Sequence, residues 1–358
     1  MSEMHIVRAP YLHALTRTLF MTNGAPRHIA DCVAGILVNA NLAGHDSHGV
    51  IRVPAYLQQM SDGRINPTAE PQILKETPTT LLIDGQDGFG HYTSQQGMAL
   101  AIEKAKQANI CCVNFVHIGH IGRVGDYAEQ AARAGCIGLI TVGFGSRDVG
   151  SRVTAFGGKF GILGTNPIAV GVPTGDGIPF VLDYATSVVA EGKIQVARSK
   201  NLDAPANTVV DKYGQPTVKT AEFYDGGALL PFAQHKGYAL SLLTCLLAGL
   251  SGHFEPEHAG LRGVFMLVFH IDAFTPLPTY QENVRAFLDG IKSTPTADGV
   301  DEILAPGDVE QRNRAQRLDG GLELPELVYQ PIQAAAAQLR IAADAVIVEA
   351  EDLQRYQV

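Results

Sequence analysis

The stretch Ile110-Cys111-Cys112-Val113-Asn114-Phe115-Val116-His117-Ile118-Gly119-His120-Ile121-Gly122-Arg123-Val124-Gly125-Asp126 decides the fold. Its first seven residues form a short apolar run that reads as a buried strand, the glycines read as a turn, and a helix is expected over 126–134. Strand, glycine turn and helix is the order of a dinucleotide-binding unit, but the spacing differs. The glycines fall as G-x-x-G-x-x-G, whereas the fingerprint G-x-G-x-x-G needs its first two for the turn and the approach to a pyrophosphate. About 20 residues further on, where an acidic ribose ligand belongs, the sequence is apolar. The expected class is therefore α/β with mixed α+β character, a non-Rossmann central domain on a mixed sheet.

Working outward, strands are expected over 80–83, 110–116 and 137–142, with helices over about 93–108 and 126–134, an alternation typical of α/β domains. A glycine-rich stretch, 143–180, follows. Strands over 180–184 and 264–271 then flank helices over 187–198 and 236–250. On the amino-terminal side, helices are expected over 10–21 and 26–43, the second with Pro26 in its first turn and Ile29, Val33, Ile36, Leu37 and Ala40 on one face. Gly44 ends it. A third helix starts near Asp46 or Ser47, or at Pro54. Pro67, Pro71 and Pro78 mark an irregular stretch and a boundary near residue 75. Helices return from 281, so residues 1–75 with 276–358 are expected to form one helical domain from both termini, around a central α/β cofactor-binding domain over 76–275.

Composition narrows the function. The 358 residues are 46% apolar and 18% charged, which excludes a disordered or fibrous chain, and a formal charge of -9 argues against a partner whose phosphates must be neutralised. Five cysteines, an odd number with no C-x-x-C pair, read as buried thiols in a reducing compartment. The amino terminus lacks the apolar core of a signal peptide, so cytoplasm is expected and no membrane contact. The longest apolar run, 237–250, is shorter than the ~20 residues that span a bilayer and reads as a buried core helix. Cys111 and Cys112 are read as core, since successive strand residues point to opposite faces.

Chemistry concentrates at His45, Asp46, Ser47, His48 and Arg52. Two H-x-x-H pairs, His45/His48 and His117/His120, with Asp46 and Asp126 near them, allow a zinc site with an activated water, and hence a zinc hydrolase as an alternative from another class. The other reading is proton transfer. His48 supplies an acid or base near neutral pH, and Arg52, four residues on, supplies a fork for a carboxylate, a combination suited to reducing a 2-oxo acid. Asp183 ends a strand and Thr186-Ser187 opens a helix, so hydroxyls and free N–H groups there can face a pyrophosphate. Lys236, at the start of an apolar helix, needs a partner to reach.

Taken together, Asp46-Ser47-His48-Gly49 with Arg52 and Tyr56, Gly119-His120, Gly125-Asp126-Tyr127-Ala128, Leu163-Gly164-Thr165-Asn166-Pro167, Leu182 through Ser187 with Gly192-Lys193, and His235-Lys236-Gly237-Tyr238 resemble the type-2 malate/L-lactate dehydrogenase family. The likeness runs in order from about residue 5 to 340. It implies a homodimeric, non-Rossmann, NAD- or NADP-dependent 2-hydroxy-acid oxidoreductase, with NAD ahead of NADP and no metal. The active site lies in a cleft between a helical and an α/β domain. The resemblance gives His48 the proton donor and acceptor role, places Ser47 beside it, and sets His120 near the substrate. Cofactor contacts map to Asp183, Tyr184, Ala185, Thr186, Ser187, Val188 and Val189, to His235 and Lys236, and to Gly307 and Asp308.

The sequence departs from the family's usual pattern at Gly143-Phe144-Gly145-Ser146-Arg147, at Ala233-Gln234 before His235, in having no tryptophan near Val209, and at Arg123, where the residue is often small. Arg123 is read as a second anion contact. His45 is read as a bystander. The expected reaction is NAD(P)H-dependent reduction of a 2-oxo acid to a 2-hydroxy acid, reversible, with a cyclic imino-acid reductase of the same family as the near alternative.

Overall fold

The computed structural model describes residues 4–147, 152–257, 259–341 and 346–356, so residues 148–151 of the glycine-rich stretch lie outside it. The chain starts with β1 (Met4–Val7), α1 (Ala9–Thr22) and α2 (Arg27–Leu42). Leu12, Leu15 and Leu19 of α1 and Ile29, Val33, Ile36 and Leu37 of α2 recur at helical spacing and are buried. Between α2 and α3 (Val53–Ser61) lie two single 3₁₀ turns, Asp46–His48 and Val50–Arg52, so the third helix begins where Pro54 can occupy its first turn. His48 and Arg52 therefore sit on separate turns, not on one helical face.

The central sheet is built from β2 (Gln72–Glu76), β3 (Thr80–Asp84), α4 (Gly90–Ala108), β4 (Ile110–Val116), α5 (Gly125–Arg133) and β5 (Cys136–Gly145). It continues through β6 (Val153–Thr154), β7 (Gly161–Leu163), β8 (Ile168–Val172), β9 (Phe180–Tyr184), α6 (Glu191–Ser199), β10 (Val209–Val210), β11 (Pro216–Thr217), α7 (Thr220–Tyr224) and β12 (Ala228–Leu229). The chain then enters α8 (His235–Ala248) and β13 (Leu261–His270). Strands β3 and β4 pair in parallel across α4, but β13 lies between β4 and β5 and runs antiparallel to both. This mixed arrangement is incompatible with a Rossmann sheet, as the glycine spacing indicates. Ten strands follow one path, β11-β10-β12-β6-β7-β5-β13-β4-β3-β2, while β8 pairs with β5 and β9.

After α9 (Leu277–Lys292) the chain is irregular until α10 (Asp308–Gly320), β14 (Leu322–Pro325), α11 (Glu326–Gln338) and α12 (Ala350–Arg355). The termini meet: β1 pairs antiparallel with β14 from Met4 opposite Pro325 to Val7 opposite Leu322. One hydrophobic cluster runs from Val7 through α1 and α2 to Met266 and Tyr356. A second gathers Val153, Leu163, Ile194, Val209, Phe223 and Leu229.

Two expectations are corrected. The helix expected over 187–198 begins only at Glu191, because Ser187 bridges to Pro231 and Val188 N–H donates to Leu230. Helix α8 is not a buried core helix. Gly237, Ser241, Thr244, Cys245 and Ala248 face the sheet, while Leu242, Leu243, Leu246 and Leu250 are exposed. Small residues are required inside because the backbones nearly touch: a Cβ on Gly143 would stand 2.4 Å from the Thr244 carbonyl oxygen. No helix among the described residues is long and apolar enough to cross a membrane.

A buried ionic network fixes α12 onto α1 and α2. Arg17 donates to both carboxylate oxygens of Asp352 (2.6 and 3.0 Å) and to Asp31 at 3.2 Å, and His13 bridges Asp31 and the Tyr356 hydroxyl. Burial is the largest single influence on the Asp352 carboxyl and would raise it, but the Arg17 hydrogen bond and charge, the Glu349 N–H and His13 together outweigh burial and hold the group below its usual range. Removing one member of such a network strands a buried charge. Arg17→Ala is therefore expected to destabilise the chain by about 3–5 kcal/mol in urea unfolding. A loss under about 1 kcal/mol would mean that the network behaves like a surface ion pair.

Candidate active site

The loop after α2 is shaped by side chains that leave Ser47 and His48 little freedom. The Asn41 amide oxygen accepts from Val50 N–H at 2.8 Å, and its nitrogen donates to Asp46 at 2.7 Å. A Cβ on Gly49 would collide with Asn41 at 2.1 Å, so only glycine lets the loop close over it. From α10, Arg317 reaches Asp46 through both terminal nitrogens, at 2.8 and 3.2 Å, and also donates to the Asn41 carbonyl. Asp46 is thus a structural anchor. Ser47 Oγ lies 2.9 Å from His48 Nδ1, and Arg52 Nε donates to the Ser47 carbonyl at 2.7 Å. Arg52 is exposed and, among the described residues, has no acidic partner.

A cavity of about 440 Å³ opens beside this loop, with His48, Tyr56, His91, His120, Phe144 and Thr165 in its wall. The His48 and His120 rings stack at 5.7 Å and 16°. Tyr56, buried on α3, places its hydroxyl 2.6 Å from His120 Nδ1 and 3.4 Å from His91 Nε2. Burial is the main cause that pushes His48 down to about 3, with the charges of His120 and Arg52 adding to it. His120 has surface open to the cavity yet lies deep in the concavity. Desolvation, then Arg52, pushes it down to about 4. Both imidazoles are therefore neutral at pH 7.

The structure brings His48, Ser47 and His120 together with Arg52 at the edge. It does not bring the four H-x-x-H imidazoles together. His45 is 3.3 Å from Glu310, and His117 is bonded to Asp84 at 2.9 Å and faces His253. The two H-x-x-H pairs therefore do not assemble the zinc site that is the alternative from another class. Among the described residues, one group, His13, Asp31 and Asp352, has metal-ligand spacing, and Arg17 stands between its carboxylates. Arg123 is not an anion contact in the cavity either: its guanidinium is buried against Asp126 at 2.7 Å, Asp183 at 3.5 Å and Glu129 at 3.9 Å.

None of the segment 183–189, His235, Lys236, Gly307 or Asp308 lines the cavity. Asp183 accepts from Gly125 N–H at 3.0 Å and faces Arg123, so it braces β9 against α5. Tyr184 and Val188 are exposed, and Tyr184 packs edge-on against Phe232. Ala185 is half-buried, and so is Val189, whose carbonyl accepts from Ser187 Oγ. Thr186 donates its N–H and its hydroxyl to the Thr165 carbonyl, which ties this segment to the cavity wall but leaves neither group free for a pyrophosphate. His235 and Lys236 are exposed at the amino end of α8, after Ala233 and Gln234 with positive φ. Gly307 packs against β9, where Val181 N–H donates to Pro306, and Asp308 pairs with Lys292 at 2.7 Å. Gly192 approaches Ser47 within 3.5 Å of an added Cβ, so α6 stands beside the His48 loop.

Two residues of the site have no strong signal in the sequence. His91 opens α4 as an isolated histidine; the spaced Gly88-Phe89-Gly90 before it was the available hint. Asn166, marked in the sequence only as a member of the Leu163–Pro167 motif and with no role, holds the end of β5 by bonding Phe144 N–H at 2.9 Å and its carbonyl at 3.1 Å, and reaches Ser241 of α8 at 2.9 Å.

A family model described as malate/L-lactate dehydrogenase matches residues 7–333. Hydroxycarboxylate dehydrogenase B of Escherichia coli is 35% identical over 353 residues, 95% of this chain and 96% of that protein. The crystal structure of malate dehydrogenase from Entamoeba histolytica superimposes with a TM-score of 0.88 at 28% identity, covering 95% of this chain and 99% of that one. That of delta1-piperideine-2-carboxylate reductase from Pseudomonas syringae gives 0.80 at 29%, over 93% and 100%.

The depressed imidazoles carry a stability consequence. An unfolded chain protonates them near 6.5, whereas the folded chain does so only near 4 and 3. Their contribution is fully present above about pH 6.5 and is lost as pH falls through that window, since the unfolded state binds more protons. Asp126, raised to about 6 mainly by burial, acts in the opposite sense below that pH. Comparing urea unfolding of the protein and of a His48→Gln, His120→Gln variant between pH 7.5 and 5 isolates the histidines. The variant is expected to lose less stability on acidification.

Proposed function

The chain belongs to the malate/L-lactate dehydrogenase family, and from that membership we propose that it reduces a 2-oxo acid to a 2-hydroxy acid, reversibly, with NAD or NADP as hydride carrier. The observation that carries this reading is the stacked, neutral His48 and His120 pair in the cavity wall, with Arg52 held beside it on the Ser47 carbonyl. In this reading Arg52 binds the substrate carboxylate through its terminal nitrogens, since only Nε is committed, to Ser47. His48 is the proton donor and acceptor. Ser47 can donate to or accept from Nδ1, so it supports either protonation state, as a reversible reaction requires. A neutral His48 is a base ready for a 2-hydroxy acid. In the reducing direction an incoming carboxylate offsets the charge of Arg52, which favours a proton on His48 as the oxo acid arrives.

A cavity of about 440 Å³ fits a nicotinamide ring beside a small acid, within the usual range for ligand sites. The bound nicotinamide supplies the hydride. Thr165 and Thr186 connect the cavity wall to segment 183–189, while Lys236 adds a positive charge, and His235 an exposed imidazole, to the amino end of α8, a combination suited to a pyrophosphate. Those residues, apart from the N–H and hydroxyl that Thr186 commits to Thr165, would hold the dinucleotide together with Gly307 beside β9 and Asp308 at the start of α10. With 1–75 and 276–358 as one domain and 76–275 as the other, the cavity takes His48 and Tyr56 from the first and His91 and His120 from the second. The likeness to a piperideine-carboxylate reductase favours, as a second reading, a cyclic imino acid in the same site.

The reading also includes a homodimer in the cytoplasm, where the five free thiols stay reduced. Its support is the outward leucine stripe of α8, Leu242, Leu243 and Leu246, continued by Leu250 in the 3₁₀ turn that follows, which a second copy would cover. Leu246→Glu is expected to shift the protein to monomer in light scattering; an unchanged mass removes this surface from the dimer.

Titrating 2-oxo acids and cyclic imino acids with NADH and NADPH tests the reaction. His48→Ala is expected to lower turnover at least ~100-fold while nucleotide binding, read by NADH fluorescence, is kept. Near-normal turnover would remove His48 as the proton group.

A further inference from the structure

We propose that His91, a nearly fully buried residue of the cavity wall, is a positioning residue that fixes the tautomer of His120 through the Tyr56 hydroxyl, so that His120 presents Nε2–H as a hydrogen-bond donor to the reacting substrate oxygen. The catalytic consequence rests on the reading of the site given above; the tautomer does not.

The argument begins with a count of protons. The Tyr56 hydroxyl has one proton to give and meets two imidazole nitrogens, His120 Nδ1 at 2.6 Å and His91 Nε2 at 3.4 Å. One imidazole must accept from it and the other must donate to it. His91 is 1% exposed, and its Nδ1 is buried without a partner. A proton on Nδ1 would be an orphaned buried donor, so the proton belongs on Nε2, where Tyr56 can receive it. Tyr56 then donates to His120 Nδ1, and the proton of His120 is on Nε2.

The distances agree independently. A contact of 2.6 Å fits a hydroxyl donor better than a ring N–H, whose bonds are usually 2.7–3.2 Å. The His91 contact, at 3.4 Å, is the longer and weaker of the two, and it is the one this assignment gives to a ring N–H donor. Space for His91 is itself arranged: Gly122, at φ +75, would carry a Cβ 2.8 Å from His91 Nε2 and Cδ2, and Gly90 lets α4 approach the carbonyls of Gly119 and His120, 2.6 Å from an added Cβ.

The chain His91, Tyr56, His120 orients and does not supply protons. Burial first, then His120 and His48, holds His91 well below its ordinary value, so it carries a single proton at neutral pH. Passing that proton on would leave a buried imidazolate. His48 therefore makes the net proton transfer, and His120 polarises the oxygen without changing its proton count.

Long-range ¹⁵N–¹H NMR on histidine-labelled protein reads the tautomer with no substrate present. Wild type is expected to show His120 as Nε2–H. His91→Gln, which keeps a donor, is expected to preserve it, whereas His91→Phe and Tyr56→Phe convert His120 to a mixture or to Nδ1–H. With the oxo acid that turns over, His91→Phe is expected to lower kcat roughly ten-fold, less than the ~100-fold cost of losing a donor to the reacting oxygen outright. Nucleotide KM should stay unchanged, and His91→Gln should restore kcat.

His120 found as Nδ1–H in wild type, or unchanged in both Phe variants, overturns the proposal. Should His91→Phe not fold, Tyr56→Phe breaks the same link from the other side and decides alone. If wild type shows the Nε2–H tautomer yet turns over no oxo or imino acid, the reading of the reaction fails and the tautomer assignment stands.

Discussion

The grip of Arg317 on Asp46 organises the site. A guanidinium from α10 meets both oxygens of a carboxylate that Asn41 also holds, so α2, the His48 loop and the carboxy-terminal region share one set of hydrogen bonds. Such bidentate contacts fix direction as well as distance. The stacked pose of His48 on His120 depends on this, because the two residues come from segments separated by α3, β2, β3, α4 and β4. Position at the cavity is thus determined by residues that never enter it.

The charge distribution follows a matching logic. The cavity wall carries five imidazoles, of which burial is the chief cause that keeps His48, His91 and His120 uncharged, and Arg52 stands beside the His48 loop as a cation without an acidic partner among the described residues. Behind it, Arg123 is enclosed by Asp126, Asp183 and Glu129, and burial raises the Asp126 carboxyl to about 6. The two arginines look similar in sequence but differ in availability. A buried guanidinium surrounded by acids joins α5 to β9, and releasing it would strand carboxylates in the interior.

Much of the fold was legible because long periodic segments declare themselves: α1, α2, β4, β5 and the non-Rossmann glycine spacing all follow from side-chain period and turn chemistry. The two- and three-residue strands β6, β7, β10, β11 and β12 carry no period to read, and their pairing is imposed by tertiary contacts. The outward leucines of α8 were unreadable for another reason. Its apolar content looks the same from every side, and only the close approach of Gly143 reveals that the small residues face inward. In the site, His48, Ser47 and His120 stood out by density and by family likeness. His91 did not, since its importance comes from a partner 35 residues away, and Arg123 misled because sequence does not show which carboxylates will surround it.

The antiparallel insertion of β13 also sets an order of events in the making of the protein. Strands β4 and β5 leave the ribosome with their facing edges open, and the segment that closes both arrives about 150 residues after β4. Until then two apolar strands present unpaired backbone, the kind of edge that recruits wrong neighbours. Loop closure over that distance is slow compared with local helix formation. This sheet is therefore finished from the middle, and its closing strand is among the last parts of the central domain to be synthesised.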